Sequence, residues 1–215
     1  MRRRAFLVAL ACAPLLGFVK PEDLPRKRAV FEEVGTSLRM SIGLPKLLRK
    51  HDREAMASID SGFDTTIEYT IRLWQHLGRG NRRLVETREL VVKIRRDPWK
   101  KRYVVSAGDE RGWTRRYFEE RDAAILAAVK LERVRIASVG KLERGDDRAS
   151  YFVEILALRN PLRKRGPGGG DAASGRGQGR DLEWFGRLVE NLAGERPRAE
   201  EIVHVRTNLF YLVPR

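Results

Sequence analysis

The feature that most constrains this fold is a regular alternation of apolar and polar residues between positions 64 and 96. Its first half places a residue suited to a core at every second position: Thr65, Ile67, Tyr69, Ile71 and Leu73. Because successive side chains of a strand point to opposite faces, this pattern predicts a strand with one buried face. In the second half, four apolar residues are separated by even numbers of positions and therefore share one parity: Leu84, Leu90, Val92 and Ile94. Gly78 and Gly80 separate the halves and tolerate the positive φ of a tight reversal, so the sequence predicts an antiparallel hairpin.

Similar alternation elsewhere predicts a mainly β protein. In the extended segment 29–44, one parity is apolar: Leu38, Met40, Ile42 and Leu44. Further strands are predicted at 102–107, 113–118, 133–139, 150–158 and 201–213. Helical periodicity predicts helices at 46–60, 119–132 and 181–194. We expect an antiparallel β-sandwich, Ig-like in form, with roughly seven to eight strands and two to three peripheral helices.

The end of the first predicted helix has a local signal of its own. Ser61 and Gly62 follow the periodic segment. Gly62 can take the left-handed conformation that a helix C-terminus needs. We expect Phe63 to pack back against the last helical turn.

Length and composition indicate one domain. At 215 residues the chain is long enough for one well-buried core and short for two. Residues 20–28 are rich in proline and charge and are predicted to be a linker, so the β-rich domain covers 29–215. Residues 163–180 are mainly glycine, small and basic residues without apolar periodicity, which predicts a disordered insert.

The formal net charge of +15 is unevenly distributed. Setting aside the three arginines at positions 2–4 and the net four positive charges of residues 163–180 leaves +8 of that total. This remainder is spread along the chain as arginine and glutamate mixtures, which is typical of a solvated face. The insert concentrates like charge, and we predict that its basic residues contact an anionic surface: Arg163, Lys164, Arg165, Arg176 and Arg180. The alternative is that this charge only keeps the loop solvated.

Residues 1–19 have the layout of an export signal. Three arginines precede an apolar run that is too short to span a membrane, which needs roughly 20 apolar residues. We therefore predict an exported protein of the periplasm or cell envelope, with membrane association through the N-terminus as an alternative. Residues 3–7 resemble the twin-arginine export motif, although an ordinary basic region is favoured. A lipid anchor at Cys12 is a further, less favoured alternative.

Several of these segments resemble an uncharacterised family of exported bacterial proteins, the domain of unknown function numbered four-three-nine-zero. The resemblance lies in the strand at 38–44, the helix end at 61–62, and residues 67–74, whose Tyr-Thr-Ile-Arg-Leu-Trp is similar to the family pattern Tyr-x-Ile-x-Leu-Trp. Residues 103–106 and the alanine-rich helix after Phe118 are similar too. The resemblance covers residues 29–162 and departs from the family pattern at the insert and beyond. It implies a structural likeness and no catalytic residues.

The residue types that carry out catalysis do not form a recognisable pattern. No two of the histidines share the short spacing typical of metal sites: His51, His76 and His204. The only cysteine is Cys12, which excludes an intramolecular disulfide and a cysteine-based metal site. Three acidic residues cluster where the helix dipole favours negative charge without any catalytic role: Glu119, Glu120 and Asp122. We predict no enzyme activity and no cofactor.

Aromatic and basic residues together suggest a stacking platform for nucleic acid. The aromatic residues are Trp74, Trp99, Trp113, Trp184, Tyr103, Tyr117 and Phe118. Basic neighbours lie at 95–96, 100–102 and 115–116. Cores and sheet edges are nevertheless the commoner places for such aromatic residues. An export signal also places the protein with anionic lipids or envelope polymers, so we predict that nucleic acid is not the partner.

These features favour an exported, non-catalytic binding or adaptor module of the bacterial envelope. Its expected partner is an envelope protein or an anionic envelope surface. Two alternatives remain: an exported hydrolase whose acidic catalytic pair is assembled only by the fold, and a basic nucleic-acid-binding protein that retains residues 1–19 as a buried segment.

Overall fold

The computed structural model describes residues 23–78, 81–145, 149–161 and 198–213. The predicted export signal, Cys12, the insert at 163–180 and the helix predicted at 181–194 lie outside these ranges. The basic residues predicted to contact an anionic surface lie outside them too: Arg163, Lys164, Arg165, Arg176 and Arg180.

Within these ranges the chain forms ten strands and two α-helices. In chain order they are β1 (Arg26–Lys27), β2 (Val30–Val34), β3 (Ser37–Gly43), α1 (Arg53–Asp60), β4 (Thr65–His76), β5 (Arg82–Asp97), β6 (Arg102–Asp109), β7 (Gly112–Phe118), α2 (Arg121–Val129), β8 (Lys130–Ser138), β9 (Ser150–Pro161) and β10 (Ala199–Thr207). An open seven-stranded sheet has the order β1-β10-β9-β4-β5-β6-β7, and a three-stranded sheet has the order β2-β3-β8. The mainly β prediction is confirmed, whereas this strand order does not confirm an Ig-like sandwich.

The predicted hairpin is present and contains the central strand of the larger sheet. β4 pairs antiparallel with β5, from Thr65 opposite Ile94 to His76 opposite Arg82. β9 flanks β4 on the other side, also antiparallel. Alternate residues of β4 are buried along its whole length, as the sequence predicted. Val92 on β5 is buried as well.

A β-bulge interrupts this hairpin near its turn. Leu73 pairs with Glu86, but the next residue, Trp74, pairs with Leu84. Val85 is therefore an extra residue on β5, and an extra residue reverses the parity of everything beyond it. Leu84 is 46% exposed as a result. The prediction that Leu84 belongs to the buried parity is wrong.

The smaller sheet covers one face of the larger one. On β3, the predicted apolar parity is buried at Leu38, Met40 and Ile42. These residues belong to one hydrophobic core with the inward-facing residues of β4. The hydroxyl of Tyr69 on β4 donates a hydrogen bond to the carbonyl oxygen of Ala128 on α2, at 2.9 Å. The core therefore lies between the two sheets and extends beneath the helices.

The first helix begins later than predicted. Residues Pro45–Leu47 form a short 3-10 turn, and α1 begins only at Arg53. The side chain of Asp52 accepts a hydrogen bond from the backbone N–H of Ala55, at 3.1 Å. Asp52 is thus the N-cap that sets the beginning of α1, because it satisfies a donor that the helix leaves free.

The second helix is shorter than the predicted 119–132. α2 ends at Val129, and Lys130 already has extended backbone dihedral angles and begins β8. Leu131 is buried in this strand. The burial of Leu131 in β8 therefore ends α2 at Val129, although the following residues were predicted to be helical.

The end of α1 confirms the predicted glycine stop but not the predicted packing of Phe63. Gly62 has a φ of 86°. The N–H groups of Phe63 and Gly62 donate to the carbonyl oxygens of Ser58 and Ile59, which is the Schellman arrangement. Phe63 is nevertheless 69% exposed, so most of its side chain faces solvent rather than the last helical turn.

Both ends of the described domain differ from the predicted boundaries. The predicted linker at 20–28 includes β1, which pairs parallel with β10, and Leu24 beside it is buried. The last strand ends at Thr207 rather than at 213. Beyond it, Phe210 makes an isolated bridge to Tyr151. A parallel pair between the two ends of a domain leaves no local sequence signal.

Replacing Ile71 by aspartate tests the central strand. Ile71 is 1% exposed on β4. We expect Ile71→Asp to lower the free energy of unfolding by about 3 kcal/mol or more, because the variant buries an unpaired charge. Chemical denaturation measures this change, and Thr87→Asp at an exposed position of β5 is the control. An Ile71→Asp protein as stable as the control variant would contradict the register.

Candidate functional site

An open groove crosses the face of the larger sheet that points away from the smaller sheet. Ile94 on β5 and Val105 on β6 face the core, so their neighbours in sequence face outward. The groove has a volume of about 490 Å³ and is lined by Asp64, Lys93, Arg95, Asp97, Lys100, Arg102, Val104, Ser106, Trp113, Arg115 and Tyr117. It therefore lies over β5, β6 and β7.

Strand register brings residues that are distant in sequence into two rows. In one row, Ser106 on β6 lies opposite both Lys93 on β5 and Arg115 on β7. In the next row, Val104 lies opposite both Arg95 and Tyr117. Side chains directly opposite each other on one face are within contact distance. In the first row, Lys93 on β5 therefore lies two strands from Arg115 on β7. In the second row, Arg95 on β5 lies two strands from the ring of Tyr117 on β7.

Trp113 lies flat on the sheet at one end of the groove. A Cβ atom added to Gly108, its partner in the register, would come within 2.5 Å of the indole ring. Only glycine therefore leaves room for the ring in this position. The ammonium group of Lys93 lies 5.7 Å from the centre of the indole, within the range of a cation–π contact. Trp113 is still 50% exposed, so part of the ring is free to contact a ligand.

A second aromatic ring pairs with a cation further along the groove. The guanidinium carbon of Arg102 lies 3.8 Å from the centre of the Tyr117 ring. Tyr117 is also 50% exposed. Val104 on β6 lies between Arg95 on β5 and Tyr117 on β7, and it is buried. Stacking holds the guanidinium in one orientation, which lowers the entropy that Arg102 loses when it binds an anion.

Positive charge exceeds negative charge in the groove. Its lining has five cations against two carboxylates, a surplus of three. One carboxylate, Asp64, lies 3.6 Å from Arg95. The other, Asp97, accepts hydrogen bonds from the backbone N–H groups of Trp99 and Lys100. In the part of the chain that the structure describes, no ion pair engages Arg102 or Arg115. The groove is therefore suited to hold an anionic group.

The same outer face of the sheet carries a second polar cluster, centred on Glu154 of β9. Glu154 is only 5% exposed. Its carboxylate accepts a hydrogen bond from the Trp74 indole at 2.8 Å, lies 2.8 Å from Nε2 of His204, and lies 3.6 Å from Arg72. Burial opposes ionisation, but the contacts with His204, Arg72 and Trp74 outweigh it and lower the pKa of Glu154. A general acid needs a raised pKa, and the pKa of Glu154 is shifted in the opposite direction.

The acidic residues predicted at the front of α2 do not converge on a site. Asp122 forms an ion pair with Lys50 at 2.6 Å, and its hydrogen bond with this lysine lowers the pKa of Asp122. Among the described residues, no three His, Cys, Asp or Glu side chains come together as a metal site. His204 joins the Glu154 cluster, whereas His51 and His76 lie elsewhere on the chain.

The fold divides the predicted aromatic and basic residues between two faces. Trp113 and Tyr117 line the groove, and so do Arg95, Lys100, Arg102 and Arg115. Tyr103 and Phe118 pack against the core instead. Trp74 joins Glu154, Trp99 lies on the β5–β6 turn, and Trp184 lies outside the described residues. Sequence reasoning missed Lys93, Gly108 and Glu154, although the alternation of β5 and β6 already placed Lys93 on the outer face.

Comparison of the chain with protein-family models, with curated proteins and with solved structures finds no match. The resemblance described in the sequence analysis therefore stays a prediction. In the described part of the chain, no helix has the length and apolar character that crossing a bilayer requires.

The Glu154 cluster generates a pH-dependent prediction. We expect Glu154→Gln to lower the free energy of unfolding by about 1–3 kcal/mol at pH 7, because His204 and Arg72 lose their partner. A lowered pKa means that this stabilisation is present above the ordinary value of 4.5 and is lost as the pH falls through the folded-state pKa. The stability difference between wild type and variant should therefore shrink in acid.

Denaturation curves at pH 7 and at a series of acidic values measure this difference. Glu110→Gln is the control, since Glu110 forms only an exposed ion pair with Arg88. A stability difference that stays constant below pH 4.5 would show that the charge of Glu154 has no such role.

Proposed function

We propose that this protein is a non-catalytic binding module that uses the β5–β7 groove to hold phosphate-bearing molecules of the bacterial envelope. One observation supports this most directly: Lys93, Arg102 and Arg115 converge around two half-exposed aromatic rings, with few acidic residues nearby. Guanidinium groups bind phosphate oxygens with well-defined geometry, and an ammonium group adds a point charge.

The groove favours weak, salt-dependent binding. It is open and its cations reach solvent, so salt screens their attraction for an anion. Arg102 is already oriented by Tyr117, whereas Arg115 lies on the edge strand and is exposed. Such an arrangement suits a repeated anionic surface or polymer better than one small ligand that must be enclosed.

The envelope is the proposed location because residues 1–19 have the layout of an export signal. The five basic residues predicted to contact an anionic surface, which lie in the insert at 163–180, would add to the same attraction. The hydrolase alternative draws no support from the groove, whose two carboxylates are engaged by Arg95 and by backbone N–H groups.

Single-stranded nucleic acid is a second candidate ligand. Trp113 and Tyr117 are half exposed beside cations, and bases stack on such rings. The export prediction favours the envelope ligand over this one. A single-stranded oligonucleotide that binds more tightly than a phosphate polymer of equal charge would reverse this preference.

Binding of inorganic polyphosphate to the full chain tests the proposal. We expect the triple variant Lys93→Gln, Arg102→Gln, Arg115→Gln to weaken binding at least about tenfold at low salt, because each basic residue near an anionic surface contributes about 1 kcal/mol. The matched control is Lys27→Gln, Lys46→Gln, Arg53→Gln, which removes the same charge from exposed positions away from the groove. Isothermal titration measures both affinities. Equal losses in the two triple variants would show that total charge, and not the groove, determines binding.

A further inference from the structure

We propose that the turn between β5 and β6, residues 98–101, inserts the side chain of Trp99 into the headgroup region of an anionic lipid bilayer. This inference rests on the proposed function and names its ligand: the phosphates that the groove holds are those of lipids. We call residues 98–101 together with Phe63 the tip.

The tip carries two large apolar side chains that are exposed. Trp99 is 93% exposed, and Phe63 is 69% exposed. The two segments are adjacent, since a Cβ atom on Gly62 would lie 3.3 Å from the carbonyl oxygen of Arg96 and 3.9 Å from Pro98. Large exposed apolar side chains on adjacent segments indicate an interaction site.

Hydrogen bonds hold the backbone of the turn that carries Trp99. One carboxylate oxygen of Asp97 accepts hydrogen bonds from the N–H groups of Trp99, at 3.1 Å, and Lys100, at 3.2 Å. Pro98 fixes its own φ at the beginning of the turn. A backbone held in this way loses little conformational freedom when Trp99 binds, which favours association.

Lysines flank the exposed indole. Lys100 and Lys101 follow Trp99 directly and are exposed. Lys101 has a φ of 47°, a left-handed conformation that glycine or asparagine adopts at lower cost. A lysine in this costly conformation is a candidate for a role that uses its charge.

The residue types of the tip match an anionic bilayer. Tryptophan is favoured at the boundary between headgroups and acyl chains, because its ring is apolar and its N–H is polar. Lysine side chains extend to headgroup phosphates while their aliphatic carbons stay in apolar surroundings. A protein partner would instead be expected to offer acidic residues and a shaped pocket for the indole.

The tip is continuous with the groove. Lys100 belongs to the turn and also lines the groove. At the same end, Asp97 lies opposite Arg102 in the strand register. A bilayer that receives Trp99 therefore brings its phosphates to the end of the groove where Arg102 is stacked on Tyr117.

Co-sedimentation of the full chain with lipid vesicles tests this inference. The probe vesicles contain phosphatidylcholine with about a third phosphatidylglycerol, and vesicles of phosphatidylcholine alone are the comparison. We expect Trp99→Ala to weaken partitioning into the anionic vesicles about tenfold and Lys101→Gly to weaken it about fivefold. Leu126→Ala, at a 60% exposed position on α2, is the control and should leave partitioning unchanged.

Lys101→Gly separates binding from folding. Glycine relieves the left-handed conformation, so the melting temperature should stay the same or rise while vesicle binding falls. A variant that gains stability and binds vesicles as well as wild type overturns the role of Lys101. Greater binding to neutral than to anionic vesicles overturns the choice of an anionic bilayer.

Quenching by brominated lipids reports on Trp99 through the difference between wild type and Trp99→Phe, because both proteins share the other three tryptophans. The quenched fraction of fluorescence should be larger in wild type than in Trp99→Phe. Equal quenching in the two proteins overturns the insertion of Trp99.

The outcomes also separate this inference from the proposed function. If the groove variant alone weakens polyphosphate binding and the tip variants change neither co-sedimentation nor quenching, the proposed function stands and this inference fails. If the groove and control triple variants bind polyphosphate equally well, the proposed function itself fails.

Discussion

Burial of alternate residues in the central strands β4, β5 and β6 is the constraint on which the rest of the structure depends. Ile94 and Val105 must face the core between the sheets. Because a strand presents its neighbours in sequence to the opposite face, this burial directs Arg95 and Val104 outward. The groove is thus a consequence of the same pattern that forms the core. A change of one residue in register would exchange the two faces and abolish both.

The outer face of the larger sheet has two regions: in one, the charges are paired, and in the other, positive charge is in excess. On β4, β9 and β10, Glu154 is surrounded by Arg72, His204 and Trp74. On β5, β6 and β7, the cations outnumber the carboxylates. Leaving cations next to one another opposes folding slightly, because like charges repel. An excess of positive charge confined to β5, β6 and β7 is suited to binding an anion there.

The sequence predicts the parts of this fold that depend on local periodicity or on one residue. The hairpin, the buried parity of β3 and the glycine stop at Gly62 follow from such signals. The bulge at Val85 does not, since a single extra residue is visible only when two strands are paired. The parallel pairing of β1 with β10 joins segments that are distant in sequence.

The candidate site is predictable only in part, for the same physical reason. Composition identifies aromatic and basic residues near 95–117 but does not assign them to a face. Strand register separates Tyr103 from Tyr117 and brings Lys93 next to Trp113. The importance of Gly108 comes from the ring that lies on it, so it cannot be recognised before the structure is known. Glu154 on β9 depends likewise on partners from two other strands, β4 and β10.

The indole N–H signals in two-dimensional NMR spectra offer the most direct test that the β5–β7 groove is the binding surface. The full chain is titrated with a soluble, short-chain phosphatidylglycerol, and the signals are assigned with Trp113→Phe and Trp74→Phe variants. We predict that the Trp113 signal shifts in a saturable, salt-dependent way. The Trp74 signal should stay in place, because its N–H is bound to Glu154 at 2.8 Å, away from the groove. A Trp113 signal that does not move while the lipid binds elsewhere would contradict the account.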